Sequence, residues 1–374
     1  MNRSNVLEIK KTFKVEDGTI DKIITCFVNG NKNKLITNTE SFSSLSEEEA
    51  FKYVDILKST LSGTIGKKLV NITFSSDSAS REAEDKLYSS FKNMTSNDNV
   101  RDEFIDSIIE NYDFDENYLL VVGHGQYAAA VKASDGAVLE DETTDYEFMV
   151  VAICPVHSTK AGLTLDVKTG RMISSTQVQI VEKPINGFLY PAFNERESDR
   201  HGLLWFSKKP EEQHDELIEL LTGDKAPVSS AEQQTVFEKI LSEVTDDDAD
   251  FEVIKNLHDN LLTMTEEAKY NSEDKKLEKE DIKEILKEAG VDQEKLEDFD
   301  HVYERASGDK DITFVPQNLM TVDKFNVKAP DVEIKIKSDK TSLVQKRRID
   351  GKNCIVVALE GGIRLNGILV SDTK

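Results

Sequence analysis

Two acidic residues and a lysine in the first half of the chain have the types and spacing that suit metal-dependent hydrolysis. Asp145 precedes Asp166 and Lys168, and a single valine separates the last two. In some metal-dependent nucleases a pair of carboxylates holds Mg²⁺ and a lysine positions the attacking water. Residues 166–170 also have the composition of a hairpin turn, which is the commoner meaning of such a pattern. These three residues are candidates for a catalytic site, and His124 is a fourth.

His124 lies between two glycines, Gly123 and Gly125, where a predicted strand ends. Side chains at strand ends often serve in binding or catalysis, because loops held by a rigid sheet carry many functional residues. Glycines on both sides are more typical of a histidine in a turn. The sequence therefore names His124 as a candidate and gives it no partner.

Cys154 and His157 have the Cys-x-x-His spacing of one half of a zinc site. A structural zinc site needs four ligands, usually from two such pairs, and the sequence has no second pair. Cys154 ends an apolar run, where a buried free thiol is ordinary. Residues three apart on a strand point to opposite faces, which also disfavours a nucleophile and base pair. We therefore expect no metal and no cofactor here.

A basic run near the C-terminus, Lys346, Arg347 and Arg348, is the candidate for nucleic-acid contact. It lies in residues 311–374, which hold 11 basic and 8 acidic side chains. A nucleic-acid footprint has more positive charge on one face, and charged residues also protect a strand edge from aggregation. The order of helices, sheet and terminal strands is similar to that of bacterial nucleoid-associated proteins, so nucleic-acid binding stays an alternative.

Acidic side chains outnumber basic ones, and they are unevenly spread. The 374 residues have a net charge of −24, and residues 210–310 alone hold 12 Lys and Arg against 31 Asp and Glu. Such a surface repels nucleic acid and anionic lipid. Three widely spaced cysteines indicate a reducing compartment, and no run approaches the roughly 20 apolar residues that span a bilayer. We therefore expect a cytoplasmic protein away from membranes, whose partner, if it has one, is another protein.

The elements that position these residues follow from hydrophobic periodicity. Residues 19–37 predict a β-hairpin around Asn29-Gly30. Ser46 and Glu49 form a capping-box pattern that opens a helix, and two more amphipathic helices follow. Residues 118–181 are a block of β-prone runs separated by turn signals, which predicts an antiparallel sheet. Helices followed by strands in separate blocks indicate the α+β class.

The remainder of the chain is first helical and then β-prone. Residues 210–305 have a helical pattern in which Gly290 is a C-terminal cap, and the charged residues 266–280 predict a mobile linker. Residues 332–370 predict a small sheet. The organisation is therefore an α+β domain at 1–209, an acidic helical segment at 210–310 and a small β segment at 311–374 docked on the rest.

Several runs spread along the whole chain resemble one bacterial family. They are Phe51-Lys52-Tyr53, Leu61 to Lys67, Ile109 to Asp113, Ile153 to Val156, Gly187 to Asn194, Pro330-Asp331-Val332, Ile349-Asp350-Gly351 and Asn366-Gly367-Ile368. In these runs the chain resembles the domain of unknown function 4317 family, found mainly in Gram-positive bacteria. The resemblance implies a full-length member of one uncharacterised family and brings no catalytic residues with it.

No complete catalytic or cofactor motif occurs in the sequence, which favours a non-enzymatic binding or regulatory protein. A metal-dependent hydrolase or nuclease using Asp145, Asp166 and Lys168 is one alternative. A nucleoid-associated protein that binds nucleic acid is the other.

Overall fold

The computed structural model describes residues 1–132, 138–166, 169–271, 275–308, 312–359 and 361–370, without the side chains of 131–132, 138–142, 166, 175, 269 and 271. The chain forms two compact units, Met1–Ser229 and Ser230–Lys374. This grouping does not decide the three-part division predicted from the sequence, which stays a prediction.

The first unit combines helices with a mainly antiparallel sheet, which confirms the α+β class. Its helices are α1 (Arg3–Thr12), α2 (Glu47–Thr60), α3 (Ser78–Asn93), α4 (Asp98–Asn111) and α5 (Asp215–Thr222). Its strands are β1 (Ile20–Val28), β2 (Lys34–Ser41), β3 (Leu69–Thr73), β4 (Tyr118–Lys132), β5 (Val138–Ser158), β6 (Gly162–Asp166), β7 (Arg171–Ser175), β8 (Gln179–Val181), β9 (Asn186–Tyr190), β10 (Ala192–Asn194), β11 (Glu197–Asp199) and β12 (Gly202–Ser207).

The main sheet of this unit has the strand order β2-β1-β4-β5-β9-β12-β3, and β8 pairs with the end of β5. Side chains alternate between its faces, as the two-residue period of a strand requires. On β1, Ile24 and Cys26 join a core with α3, α4 and α5, whereas Ile23 joins a separate core with α1 and α2. Each fully buried large apolar side chain contributes about 1.5–3 kcal/mol, so helices on both faces hold the sheet in place.

Local sequence rules place the start of α2 correctly and the first hairpin turn incorrectly. The Ser46 hydroxyl accepts from the Glu49 amide, and the Glu49 carboxylate accepts from the Ser46 amide, as the capping box predicts. The hairpin β1–β2 forms, but its loop spans residues 29–33 and is wider than the tight turn that Asn29-Gly30 predicts. The cause is the Asn29 side chain, whose oxygen accepts from the amides of residues 31 and 33 and closes a wider loop.

His124 lies inside β4, and its prediction as a strand-end or turn residue is wrong. The strand runs without a break from Tyr118 to Lys132. Its two glycines, Gly123 and Gly125, occur where a side chain would not fit. A Cβ on Gly123 would lie 2.5 Å from the Leu57 side chain of α2, and one on Gly125 would lie 2.3 Å from the carbonyl oxygen of Thr19. Close approach of backbone and helix therefore explains these glycines.

The second unit begins with acidic helices. They are α6 (Ser230–Val244), α7 (Phe251–Asn271), α8 (Lys279–Ala289), α9 (Phe299–Ser307) and the short α10 (Pro316–Leu319). Gly290 caps α8 with a φ of +103°, as predicted. The predicted linker 266–280 is wrong at both ends, because α7 continues to Asn271 and Leu277 is buried in a bridge with Phe314. No helix in the described part of the chain is long and apolar enough to cross a membrane.

The C-terminal strands form consecutive hairpins, where the sequence predicted one small sheet. The strands are β13 (Lys324–Ala329), β14 (Val332–Lys337), β15 (Val344–Ile349), β16 (Lys352–Val357), β17 (Ile363–Leu365) and β18 (Ile368–Val370), paired in order as β13–β14, β15–β16 and β17–β18. A short helical segment, Ser338–Leu343, joins the first two hairpins and packs on α7. Thr341 there donates to the Asp259 carboxylate of α7 at 2.8 Å.

Candidate functional site

The sequence candidate His124 is the centre of a charged cluster on the α3 side of the sheet. Its Nδ1 lies 2.7 Å from an Asp21 oxygen, and its Nε2 lies 3.2 Å from a Glu147 oxygen. The other Glu147 oxygen pairs with the Lys92 ammonium. We call Asp21, Lys92, His124 and Glu147 the His124 cluster. No pattern in the sequence points to these partners, because Asp21 is 103 residues from His124.

Strand alternation and the glycines orient this histidine. Gly123 faces Leu57 of α2, and Gly125 lies on the same face of β4, so the residue between them faces α3, where the ring lies 5.8 Å from that of Phe91. His124 is only 5 % exposed, whereas the side chains of Asp21 and Glu147 are 46 % and 27 % exposed. The cluster is therefore a buried ring held between two carboxylates that reach the surface.

A second charged group lies along the same helix. Arg200 donates to Glu84 and Asp85 of α3 at 2.5 and 2.6 Å, and its guanidinium lies 4.7 Å from the centre of the Tyr88 ring. His201 Nδ1 lies 3.1 Å from the other Glu84 oxygen. Glu84 is 5 % exposed, so its charge is stabilised by these partners. This group holds the turn between β11 and β12 against α3.

The geometry of the His124 cluster suits a structural bridge better than catalysis. A general base needs one ring nitrogen directed at a substrate, and a metal ligand needs a nitrogen lone pair directed at the ion. Both nitrogens of His124 face carboxylates of this chain. Across the described ranges, no group of three or more His, Cys, Asp or Glu side chains is placed to hold a metal ion.

The structure places Cys154 and His157 in different environments. Cys154 is fully buried in the α1 and α2 core, where burial raises the pKa of its thiol to about 12. His157 is exposed at the end of β5, 3.5 Å from Glu116 and 3.6 Å from Glu182. At neutral pH such a thiol stays protonated, which makes it a poor nucleophile.

The hydrolase candidates are only partly described. Asp145 is exposed on β5 and pairs in register with Ala128 of β4. Asp166 ends β6, but its side chain lies outside the described residues, as does the whole of Lys168. A shared site for the three therefore stays a prediction.

The hairpin β13–β14 has one charged face that the sequence did not single out as a site. Directly paired residues on antiparallel strands share a face. One face has the pairs Lys324 with Lys337, Asn326 with Lys335, and Lys328 with Glu333, and all six side chains are exposed. We call these six residues the lysine face. The other face is apolar and is anchored by Phe325, which packs on Phe251 and His258 of α7. In the sequence, this face is indicated only by the alternation of Lys324, Asn326 and Lys328 with apolar residues.

Two lysines on this face oppose each other directly. Lys324 and Lys337 are partners in the register, which places their Cβ atoms about 5 Å apart, and like charges in such a position are destabilising. Lys335, by contrast, pairs with Glu333 at 3.2 Å. Among the residues that the structure describes, no acidic side chain forms an ion pair with Lys324 or Lys337. The pair is an exposed concentration of positive charge that an anion would stabilise.

The sequence comparisons bear on the chain as a whole. A family model described as Domain of unknown function (DUF4317) matches residues 1–368. The chain belongs to this family. No curated protein matches it.

The predicted nucleic-acid residues of this DUF4317 protein do not form a single patch. Lys346, Arg347 and Arg348 are all exposed on β15, but strand alternation sends Arg347 to the face opposite the other two. Arg347 donates to Gln345, and Arg348 donates to the Gly351 carbonyl in the turn. The run therefore offers separate charges, whereas the lysine face brings its charges together.

Proposed function

We propose that this protein is a non-enzymatic binding protein, and that the lysine face contacts an acidic surface on its partner. The opposed Lys324 and Lys337 carry the proposal. They lie on a hairpin that is anchored through its other face, so the two ammonium groups are presented to solvent at little conformational cost. The predicted placement in the cytoplasm is part of this proposal.

The charge distribution favours an acidic protein surface over a nucleic acid. Residues 324–352 hold 9 Lys and Arg against 4 Asp and Glu, whereas residues 230–310 hold 11 against 25. The hairpin packs on the acidic helix α7 through Phe325, and the helical segment that follows it bonds the same helix through Thr341. A long polyanion would therefore run past negative charge, which weakens the phosphate contacts that drive nucleic-acid binding. A compact acidic patch avoids this repulsion.

Binding to two anionic probes tests the proposal. We expect a fluorescent poly-L-glutamate peptide to bind the whole chain, with an affinity that falls as salt rises. The variant Lys324→Gln/Lys337→Gln should lose that binding. Lys160→Gln/Lys183→Gln, which removes two exposed lysines from the first unit, should keep it.

The outcome also separates the alternatives. A single-stranded DNA oligonucleotide that binds more tightly than poly-L-glutamate, and that loses affinity in the same lysine variant, would replace the acidic-protein partner with a nucleic acid. Poly-L-glutamate binding that the Lys324→Gln/Lys337→Gln substitutions leave unchanged would refute a role for the lysine face.

A further inference from the structure

The second unit contains an acidic groove as well as the lysine face. The groove has a volume of about 380 Å³ and lies where α7 begins and α8 ends. Its exposed rim includes Asp248, Asp250 and Asp292, and Val253, Ala289 and Val291 are apolar side chains of its wall. In the described part of the chain no lysine or arginine forms an ion pair with Asp248 or Asp292. The one lysine of the lining, Lys295, is paired with Asp246 at 2.9 Å.

The groove and the lysine face are complementary in chemistry. A lysine side chain buries its methylene stem on apolar surface and keeps its ammonium group at a polar edge. The groove offers both parts, since apolar side chains lie beside exposed carboxylates. Two neighbouring lysines, Lys324 and Lys337, would therefore find both a surface for their stems and opposite charges for their ammonium groups.

We propose that the lysine face of one copy of this chain docks on the acidic groove of a second copy. The proposal rests on the proposed function, because it names the acidic surface that the lysine face contacts. The lysine face and the groove are different surfaces of the described chain, so the contact joins unlike surfaces. Contacts of this kind close into a ring if the rotation between copies allows it, and otherwise extend as a chain.

The salt dependence of self-association is the first test. We expect the full chain to sediment as a concentration-dependent series of species at about 20 mM NaCl and as a monomer at about 500 mM, because exposed charge pairs are screened. The Lys324→Gln/Lys337→Gln variant should associate about tenfold more weakly or worse, as the loss of a few exposed charge pairs implies. Lys160→Gln/Lys183→Gln should associate like the parent.

A mixing experiment tests which surfaces meet. Lys324→Gln/Lys337→Gln retains its groove, and Asp248→Asn/Asp292→Asn retains its lysine face. At a protein concentration where the parent associates in low salt, each variant alone should be mostly monomeric because its association is about tenfold weaker or worse, and an equimolar mixture should form a one-to-one complex and nothing larger. Thermal unfolding by circular dichroism confirms that both variants fold, as expected for substitutions at exposed positions.

Each result decides the inference. A parent chain that is monomeric at low salt at every concentration overturns it, and if that chain still binds poly-L-glutamate through Lys324 and Lys337, the proposed function survives without it. If the parent chain neither self-associates nor binds poly-L-glutamate, both the inference and the proposed function are wrong. Association that persists in both variants, or variants that do not complement each other, would mean that the copies meet through other surfaces.

Discussion

The His124 cluster and the lysine face use charge in opposite ways. In the first, a 5 % exposed histidine lies between two carboxylates, and a lysine pairs with one of them. In the second, two like charges face each other on an exposed strand pair. The first arrangement pairs its charges within the fold, and the second leaves two ammonium groups exposed without an acidic partner among the described residues.

In the sequence, His124 is conspicuous and the lysine face is not, although of the two it is the lysine face that has unpaired charges in the described part of the chain. His124 invites a catalytic interpretation because histidines between glycines are conspicuous, yet each of its nitrogens already has a partner. The lysines of β13 and β14 look like an ordinary solvated strand, and only the register shows that Lys324 meets Lys337. The proposed function therefore follows from unpaired charge and not from residue type.

The largest effect on stability is expected where β4 packs most tightly. In Gly125→Ala the new methyl group would lie 2.3 Å from the Thr19 carbonyl oxygen, which is backbone and cannot rotate away. We expect a loss of about 3 kcal/mol in the free energy of unfolding, measured by urea denaturation. Gly162→Ala, at a glycine with no atom within 4 Å of the added Cβ, should change it by less than about 0.5 kcal/mol. Equal stability of the two variants would contradict the tight packing around β4.

Removing the bridging histidine should have the next largest effect. His124→Ala loses two hydrogen bonds and the contact with Phe91, while Asp21 and Glu147 can be hydrated because they are partly exposed. We expect a loss of about 2 kcal/mol in urea denaturation. Lys346→Ala, at an exposed position on β15, should cost less than about 0.5 kcal/mol. A His124→Ala protein as stable as the parent would show that the cluster is not a structural bridge.

His214 gives the first unit a dependence on pH. It lies 4.2 Å from the Tyr112 ring, and burial holds the pKa of its imidazole below the ordinary 6.5, although Glu212, Asp113 and Asp215 act the other way. The folded state therefore keeps it neutral where the unfolded chain takes up a proton. Its contribution to stability is complete above pH 6.5 and is lost as pH falls from there through the folded-state pKa.

Replacing this histidine tests the direction of the pH dependence of stability. His214 has a φ of +59°, a conformation that asparagine tolerates, so His214→Asn removes the titration without new backbone strain. We expect the variant to lose less stability than the parent as urea denaturation is repeated at falling pH below 6.5. Equal losses of stability in the two proteins would show that other titratable groups control the stability below pH 6.5.

Local chemistry explains which parts of the fold the sequence predicts. The capping box at Ser46 and the cap at Gly290 depend on neighbours in the chain, and both are confirmed. The turn at Asn29-Gly30 was wrong because one side-chain oxygen prefers a wider loop. The C-terminal strands were found, but their separation into hairpins depends on which strands pair, and strand alternation does not specify pairing.

The candidate sites depend even more on contacts between distant residues. His124 was named from sequence, but its environment is supplied by Asp21, 103 residues earlier, and by a helix packed across the strand. The hydrolase candidates Asp145, Asp166 and Lys168 had only spacing in their favour. Spacing in the chain fixes neighbours on one strand or helix, whereas a site requires neighbours across several.

The smallest expected effect is the most specific to the lysine face. Lys337→Glu turns the repulsion with Lys324 into an attraction, so the hairpin should become more stable by a few tenths of a kcal/mol, up to about 1 kcal/mol. Amide hydrogen exchange in β13 and β14 measures this directly, and the gain should shrink at high salt. The same substitution should weaken poly-L-glutamate binding. A variant that gains stability while losing binding would show that the opposed lysines are kept at a cost to the hairpin.

Lys335→Glu is the matched control for this experiment. It lies on the same strand and face and changes the net charge equally, but Lys335 opposes Asn326 and is paired with Glu333 at 3.2 Å. Its reversal therefore breaks an attraction and should make amide exchange in the hairpin faster. If both variants change the exchange rate in the same direction, the effect comes from net charge alone. The repulsion between Lys324 and Lys337, on which the binding proposal depends, would then be refuted.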